Sequence, residues 1–108
     1  MKRRKPDILY SERLRERRKK CEKCGRITSL QVSHFWGRRH EITRYDDENC
    51  DVLCYACHQH FEENPAEYVE WKKKNLGLKK YKELERRHNQ YLKRDDGARC
   101  KEILIRYK

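Results

Sequence analysis

Four of the six cysteines form two Cys-x-x-Cys pairs. The members of these pairs are Cys21, Cys24, Cys54 and Cys57. Four thiolates suit one tetrahedral structural Zn²⁺, and two matched pairs favour a metal over free thiols or a redox motif, which needs only one pair. Cys50 and Cys100 are then ordinary buried or free cysteines, with Cys50 as an alternative zinc ligand. The sequence therefore predicts one structural zinc site.

A histidine, an asparagine and a second histidine follow one another along the chain as His34, Asn49 and His58. A neutral histidine is suited to the role of general base near neutral pH. Glu62 stands four residues after His58, so on a helix the two side chains share one face and can share one metal ion. Taken singly, His34 on an apolar strand face also fits a packed core residue, and His58 beside Cys57 also fits a spare zinc ligand.

The composition limits the classes of partner and the size of the core. Lys and Arg number 29 against 18 Asp and Glu, which gives a net charge of +11 with His neutral. Such a charge favours a polyanion, and nucleic acid is the leading candidate. With 44% charged and 35% hydrophobic residues, the apolar core is small and a metal staple is expected.

The sequence also indicates where the chain works. No apolar run approaches the roughly 20 residues that a membrane-spanning helix needs. The basic start, MKRRKPD, is not followed by the apolar segment of a signal peptide. We therefore expect a cytoplasmic protein without a membrane partner, in a reducing compartment where clustered cysteines bind metal more often than they form disulfides.

The elements that would position these residues are expected to form a single α+β domain. Its first part, residues 1–20, is a basic arm (1–6) followed by a helix over 7–20 that Asp7 caps. Its last part, residues 65–108, is expected to be helical support.

The middle part, residues 21–64, is expected to hold the chemistry. Every second residue from Leu30 to Trp36 is apolar or His, and this alternation predicts a strand over 27–36. A charged loop over 38–51 and a short strand at 52–53 follow.

Helices are expected after the second cysteine pair. The first covers 55–63, and Asn64, Pro65 and Glu67 carry the pattern of an N-cap, a first helical position and a capping box for the next. That second helix ends at Gly77. A third helix is expected over 78–94, a turn at 95–97, and a short apolar segment over 100–108 that is either strand or helix.

The order of cysteine pair, His, Asn, cysteine pair and His resembles the HNH endonuclease family, whose catalytic unit is two strands and a helix around one divalent metal (the ββα-metal or His-Me finger). The resemblance covers residues 21–62 and continues more weakly to 77. The segment VSHFWGRRH…TRYDDEN…LCYACH, within 32–58, is most similar to a phage and prophage branch of recombination nucleases. The resemblance implies a bacterial or phage-encoded protein with a small ββα-metal finger, stapled by a four-cysteine zinc site and flanked by helices.

The resemblance also implies roles for individual residues. His34 stands where the family has its general base, Asn49 where it has the residue that holds the loop and orients the base, and His58 where it binds its metal. Glu62 is the expected partner of His58 on that metal. Oxygen and imidazole ligands suit Mg²⁺ or Mn²⁺, and imidazole alone also admits Zn²⁺ or Ni²⁺.

One position departs from the family pattern. Many members place Asp or a second His just before the catalytic His, where this chain has Ser33. A hydroxyl is a poor ligand, and strand alternation puts Ser33 and His34 on opposite faces. Ser33 therefore stays a weak candidate for the third metal ligand, with His40 as the alternative.

The sequence as a whole is interpreted as a metal-dependent DNA endonuclease that hydrolyses phosphodiester bonds and nicks as a monomer. The chain is expected to be a monomer or a weak homodimer. Arg38, Arg39 and Arg44 lie in the loop between the strands and are candidates for phosphate contacts. Two alternatives remain: a non-catalytic zinc-ribbon module that binds nucleic acid, and a recombination factor that binds branched DNA. The apolar segment 103–107 is a candidate surface for pairing two chains.

Overall fold

A computed structural model describes residues 3–108, so Met1 and Lys2 of the predicted basic arm lie outside the described residues. A two-stranded antiparallel hairpin stands at the centre of the fold, with β1 at Leu30–His34 and β2 at Cys50–Cys54. Helix α2, Tyr55–Glu63, follows β2 directly. This arrangement of hairpin, following helix and flanking helices confirms the predicted α+β class and the predicted helix over 55–63.

Four further helices flank the hairpin. They are α1 (Lys5–Arg18), α3 (Pro65–Leu76), α4 (Leu78–His88) and α5 (Asp96–Arg106). A short 3-10 helix, Glu41–Thr43, interrupts the loop between the strands. Within residues 3–108 no helix is both long and apolar enough to cross a membrane.

The hairpin buries both of its faces, because successive side chains of a strand point to opposite sides. On one side Val52 packs in a cluster with Leu14 of α1 and Ile103 of α5. On the other side Leu53 packs with Phe61 of α2, Cys21 and Cys54. The apolar core is therefore two small clusters separated by the hairpin, which suits a chain with so few hydrophobic residues.

Helix α1 begins earlier than the sequence indicates, and the prediction that Asp7 caps it is wrong. The helix starts at Lys5 with Arg4 at the cap position, and Pro6 occupies its first turn, where a missing N–H costs nothing. The Asp7 carboxylate instead accepts hydrogen bonds from Arg44 Nε (2.8 Å) and Tyr45 Oη (2.5 Å). This long-range pairing outweighs the local capping preference.

The strands differ in length from the prediction. β1 is shorter than 27–36 because Ser29 takes a left-handed conformation (φ 56°) before it and Asn49 binds the bent main chain at Trp36 after it. β2 is longer than 52–53 because all five of its residues pair with β1.

The predicted capping box at the start of α3 does not form. The Asn64 side chain donates to the main-chain carbonyl of His60 (2.8 Å), and the Glu67 carboxylate meets the His60 ring. Helix α4 stops at His88 and not at 94, since the Asn89 side chain caps the Glu85 carbonyl (3.2 Å).

The C-terminal segment is a helix, which resolves the choice left open by the sequence. The turn predicted at 95–97 is in fact the start of α5, where the Asp95 carboxylate accepts from the Ala98 N–H (3.0 Å). Of the apolar segment 103–107, Ile103 is fully buried, whereas Leu104 and Ile105 are exposed.

Candidate functional site

The four paired cysteines converge at one end of the hairpin. Their sulfur atoms all lie within 4.8 Å of one another, and the Sγ atoms of Cys24 and Cys54 are 3.7 Å apart. In a tetrahedral site with Zn–S bonds of about 2.3 Å, neighbouring sulfurs lie about 3.8 Å apart. The cluster therefore fits a structural Zn²⁺, as the two cysteine pairs predict.

Local geometry brings these sulfurs together. The main chain turns back at Gly25, whose φ is +81°, so that the Gly25 N–H donates to the Cys21 carbonyl (2.9 Å). Burial raises the pKa of the Cys21 thiol, but main-chain N–H groups around it, with that of Cys24 foremost, lower it to about 6. A thiol that ionises readily suits metal binding.

The remaining cysteines lie outside this cluster. Cys50 is fully buried in the core on the α1 side of the hairpin, opposite His34 in the strand pairing. Burial raises the pKa of its thiol far above the ordinary value, and its sulfur contacts the Arg44 carbonyl (3.5 Å). Cys100 lies half-buried on α5.

His34 and His58 face the same open space. His34 is the last residue of β1, and His58 lies in the first turn of α2. Both line a cavity of about 470 Å³, which Glu62 and Arg38 line as well. Ser33 belongs to the same lining, so the structure brings together four of the predicted catalytic and metal-binding residues and one of the predicted phosphate contacts.

The surroundings of His34 keep its ring neutral. Burial lowers the pKa of His34, the positive charges of Arg38 and Arg44 lower it further, and the result is about 4. Its Nε2 atom is buried and meets no hydrogen-bond partner among the described residues. A buried polar atom without a partner is rare and is commonly satisfied by a water or a ligand.

Asn49 fastens the loop that follows β1. Its side chain is fully buried; Oδ1 accepts from the Trp36 N–H (2.8 Å), and Nδ2 donates to the carbonyls of Trp36 (3.0 Å) and Thr43 (3.1 Å). The hydrogen bonds of the Asn49 amide therefore go to the main chain beside His34.

His58 is held from two sides. Its Nδ1 lies 2.7 Å from Oε1 of Gln31 on β1, and its Nε2 lies 3.5 Å from a carboxylate oxygen of Glu62 on the same helix. Two ligand atoms of one octahedral ion with bonds of about 2.1 Å are about 3 Å apart. A small movement of the exposed Glu62 would bring both atoms onto one ion.

Ser33 lines the first cavity, but its hydroxyl takes part in a buried polar network. It contacts the Tyr68 hydroxyl (2.9 Å), which donates to Asp51 (2.6 Å), and Lys72 donates to the same carboxylate (2.7 Å). Asp51 and Lys72 are each 1% exposed. This network joins β1, β2 and α3 through Ser33, the neighbour of His34 in the strand.

The other candidates from the loop differ in their surroundings. His40 rests against His88, with its Nδ1 atom 3.1 Å from the His88 carbonyl. Arg44 is occupied by its ion pair with Asp7 (2.6 Å). Arg38 and Arg39 are exposed, and neither forms an ion pair with a described carboxylate.

Sequence reasoning missed the residues that support the site. Gln31, Asp51, Tyr68 and Lys72 contact it through pairs that lie far apart in the chain, and their types alone carry no signal for such contacts. Strand alternation already placed Ser33 and His34 on opposite faces, but it could not predict the register that pairs Asp51 with Ser33. A search among protein-family models, curated proteins and solved structures found no match to this chain.

Proposed function

We propose that this protein is a metal-dependent DNA endonuclease of the HNH type, which hydrolyses phosphodiester bonds with a histidine general base. The observation that carries the proposal is that His34 and His58 line one cavity, although 23 residues of chain lie between them, at the junction of two strands and a helix. A hairpin followed by a helix is also the arrangement expected of a ββα-metal finger.

His34 is proposed as the base that accepts a proton from the attacking water. Its low pKa leaves the ring unprotonated at neutral pH, and its unpartnered Nε2 leaves an acceptor or donor position open among the described residues. Proton transfer by a positioned histidine contributes typically 10²–10⁴-fold to rate. Asn49 supports this role by holding the main chain immediately after His34.

His58 and Glu62 are proposed to hold one divalent metal ion. An imidazole and a carboxylate suit Mg²⁺ or Mn²⁺, and Zn²⁺ or Ni²⁺ remain alternatives. When bound, such an ion would stabilise negative charge on the phosphate and the leaving oxygen. Gln31 orients the His58 ring through Nδ1, which leaves Nε2 on the side of Glu62.

The charge of the chain supports DNA as the substrate. The net charge of +11 favours a polyanion, and the exposed Arg38 lies at the cavity that holds both histidines. Arg39 remains a candidate for a phosphate contact, while Arg44 is engaged by Asp7. One centre per chain cuts one strand at a time, so a monomer is expected to nick.

The test is cleavage of supercoiled plasmid by zinc-loaded protein freed of other divalent ions, with Mg²⁺ or Mn²⁺ added back. The wild type is expected to produce nicked circles, and His34→Ala is expected to lose at least about 10²-fold in rate. His60→Ala is the matched control, because His60 lies on the same helix but is exposed and meets Glu67.

Zinc content and thermal melting should be the same in all three proteins. Full activity of His34→Ala would contradict the assignment of the base. Salt-sensitive DNA binding without cleavage by any metal-loaded wild type would favour the second candidate, a non-catalytic zinc module that binds nucleic acid.

A further inference from the structure

A second cavity opens on the other side of the two histidines. It has a volume of about 350 Å³ and lies between β1 and α1. His34, His58 and Arg38 line both cavities, so the histidines stand in a shared wall. A strand of DNA that reaches His34 through the first cavity would therefore have the second cavity beside its reacting phosphate.

The second cavity is lined by arginines from three separate parts of the chain. Arg3 precedes α1, Arg15 lies on α1, and Arg38 lies in the loop after β1. None of the three pairs with a carboxylate of residues 3–108. Positive charge gathered from distant segments without matching acids is costly to the fold, and an anionic ligand would offset that cost.

The single carboxylate in the lining does not neutralise these arginines. Asp7 is held by Arg44 and Tyr45. Burial would raise the pKa of Asp7, but these hydrogen bonds outweigh it and lower the pKa to about 2. The negative charge of Asp7 is therefore balanced mainly by its ion pair with Arg44, with a smaller contribution from the charge of Arg38. Arg3 and Arg15 keep their positive charge for a ligand, and Arg38 keeps most of its own.

Arg15 is already oriented for such a ligand. Its Nε atom donates to the Ser11 hydroxyl (3.2 Å) and to the Ser11 carbonyl (3.1 Å), one helical turn earlier. Its two terminal nitrogens have no hydrogen-bond partner among the described residues. Because Nε is already held and both terminal nitrogens can still donate, the side chain loses less entropy when the guanidinium binds a phosphate.

We propose that this second cavity binds a backbone phosphate of the DNA strand next to the phosphate that is cut, with Arg15 as its main ligand and Arg3 and Arg38 beside it. The proposal rests on the proposed nuclease function for the identity of the cut phosphate. Guanidinium forks bind phosphate oxygens in pairs, and phosphate contacts fix the register of a protein on DNA. The cavity would thus set which bond lies against His34.

The experiment compares DNA binding by wild type, Arg15→Gln and Arg13→Gln, without Mg²⁺ or Mn²⁺ so that no strand is cut. Arg13 is the matched control, since it lies on the same helix but lines a different surface with Arg17 and Tyr107. Fluorescence anisotropy with a short duplex is measured over a range of salt. The slope of log K against log salt is expected to fall by about 1 in Arg15→Gln and by less in Arg13→Gln.

A second measurement locates the phosphate. Duplexes that carry one neutral methylphosphonate at successive positions are bound to each protein. At one position the methylphosphonate is expected to weaken DNA binding by the wild type and by Arg13→Gln. The affinity of Arg15→Gln is expected to stay the same, because the side chain that binds this phosphate is already missing. With Mn²⁺ added, the cut is expected within two nucleotides of this position.

Each outcome decides a different point. The phosphate site would be overturned if Arg15→Gln and wild type had the same salt slope, or if the two variants lost the same amount of salt slope. It would also be overturned if the methylphosphonate position that leaves Arg15→Gln unaffected lay far from the cut. If one methylphosphonate position affects the wild type but not Arg15→Gln, and the protein cuts no DNA, the phosphate site would be supported and the nuclease function would be overturned. Unchanged zinc content and melting temperature show that the variants are folded, as expected because Arg15 bonds only within its own helix.

Discussion

His34 changes its affinity for a proton when the chain folds. Its pKa falls from about 6.5 in an unfolded chain to about 4, through burial first and through Arg38 and Arg44 second. Below pH 6.5 the unfolded chain takes up a proton that folded His34 does not accept. The stability associated with neutral His34 is therefore complete above pH 6.5 and is lost as the pH falls towards 4.

Arg38→Gln is expected to raise the pKa of His34, because it removes one of the two neighbouring positive charges that oppose protonation. The measurement is an NMR titration of the histidine ring signals from about pH 3 to 8, so that the range includes the pKa of about 4 in the wild type. Arg39→Gln serves as the control, since Arg39 is exposed and is not among the main causes of the low pKa of His34. A pKa for His34 that is the same in Arg38→Gln and wild type would contradict this account of the site.

At the scale of single elements, Lys72 and Asp51 connect α3 to β2. Their ion pair is 2.7 Å long and both side chains are about 2% exposed. Tyr68 donates to the second carboxylate oxygen and links the pair to Ser33 on β1. A buried charge left without its partner costs about 3–5 kcal/mol, so the pair holds α3 against the hairpin.

Lys72→Met is therefore expected to lower the free energy of unfolding by about 3 kcal/mol, because it strands the Asp51 carboxylate in the core. Guanidinium unfolding in the presence of zinc measures the change. Lys74→Met, an exposed position on the same helix, is expected to change the stability by less than about 0.5 kcal/mol. The double variant Asp51→Asn/Lys72→Met should lose less than the sum of the two single changes; additive losses would contradict a direct pairing.

Local signals predicted some elements well and others poorly. The bounds of α2 follow from the sequence because Cys54 and Asn64 mark its two ends. The start of α1 does not, because the Asp7 carboxylate is drawn to Arg44 and Tyr45, 37 and 38 residues away. Similarly, the cysteine spacing predicted the zinc cluster, whereas the contact between His58 and Gln31 depends on how α2 sits on β1.

At the scale of the whole molecule, the four-cysteine cluster, which fits a zinc ion, stands where three segments meet. Cys21 and Cys24 follow α1, Cys54 ends β2, and Cys57 opens α2. The buried apolar side chains are divided into two small clusters by the hairpin. Because each cluster is too small to hold the fold alone, the metal is expected to contribute a large share of the stability.

Removal of zinc by a strong chelator is expected to unfold the protein, and Cys54→Ser is expected to lose zinc and melt at a lower temperature. Cys50→Ser is the matched control, since Cys50 is in the same strand and equally buried but lies outside the cluster. Metal analysis and circular dichroism measure both effects. Zinc loss from Cys50→Ser would contradict the four-cysteine assignment.

The hairpin has only five residue pairs. Neighbouring residues of β1 point to opposite faces, where His34 lines the cavity with His58 and the Ser33 hydroxyl contacts Tyr68. A shift of β1 by one residue would turn Ser33 towards the place of His34 and His34 towards Tyr68 and Asp51. Such a molecule could still hold a metal at the four cysteines and keep its helices, yet it would lack the proposed base beside His58. Under the proposed nuclease function, the specific activity of a preparation would then report the fraction of correctly paired hairpins, and measurements of zinc or helix content would overlook the rest.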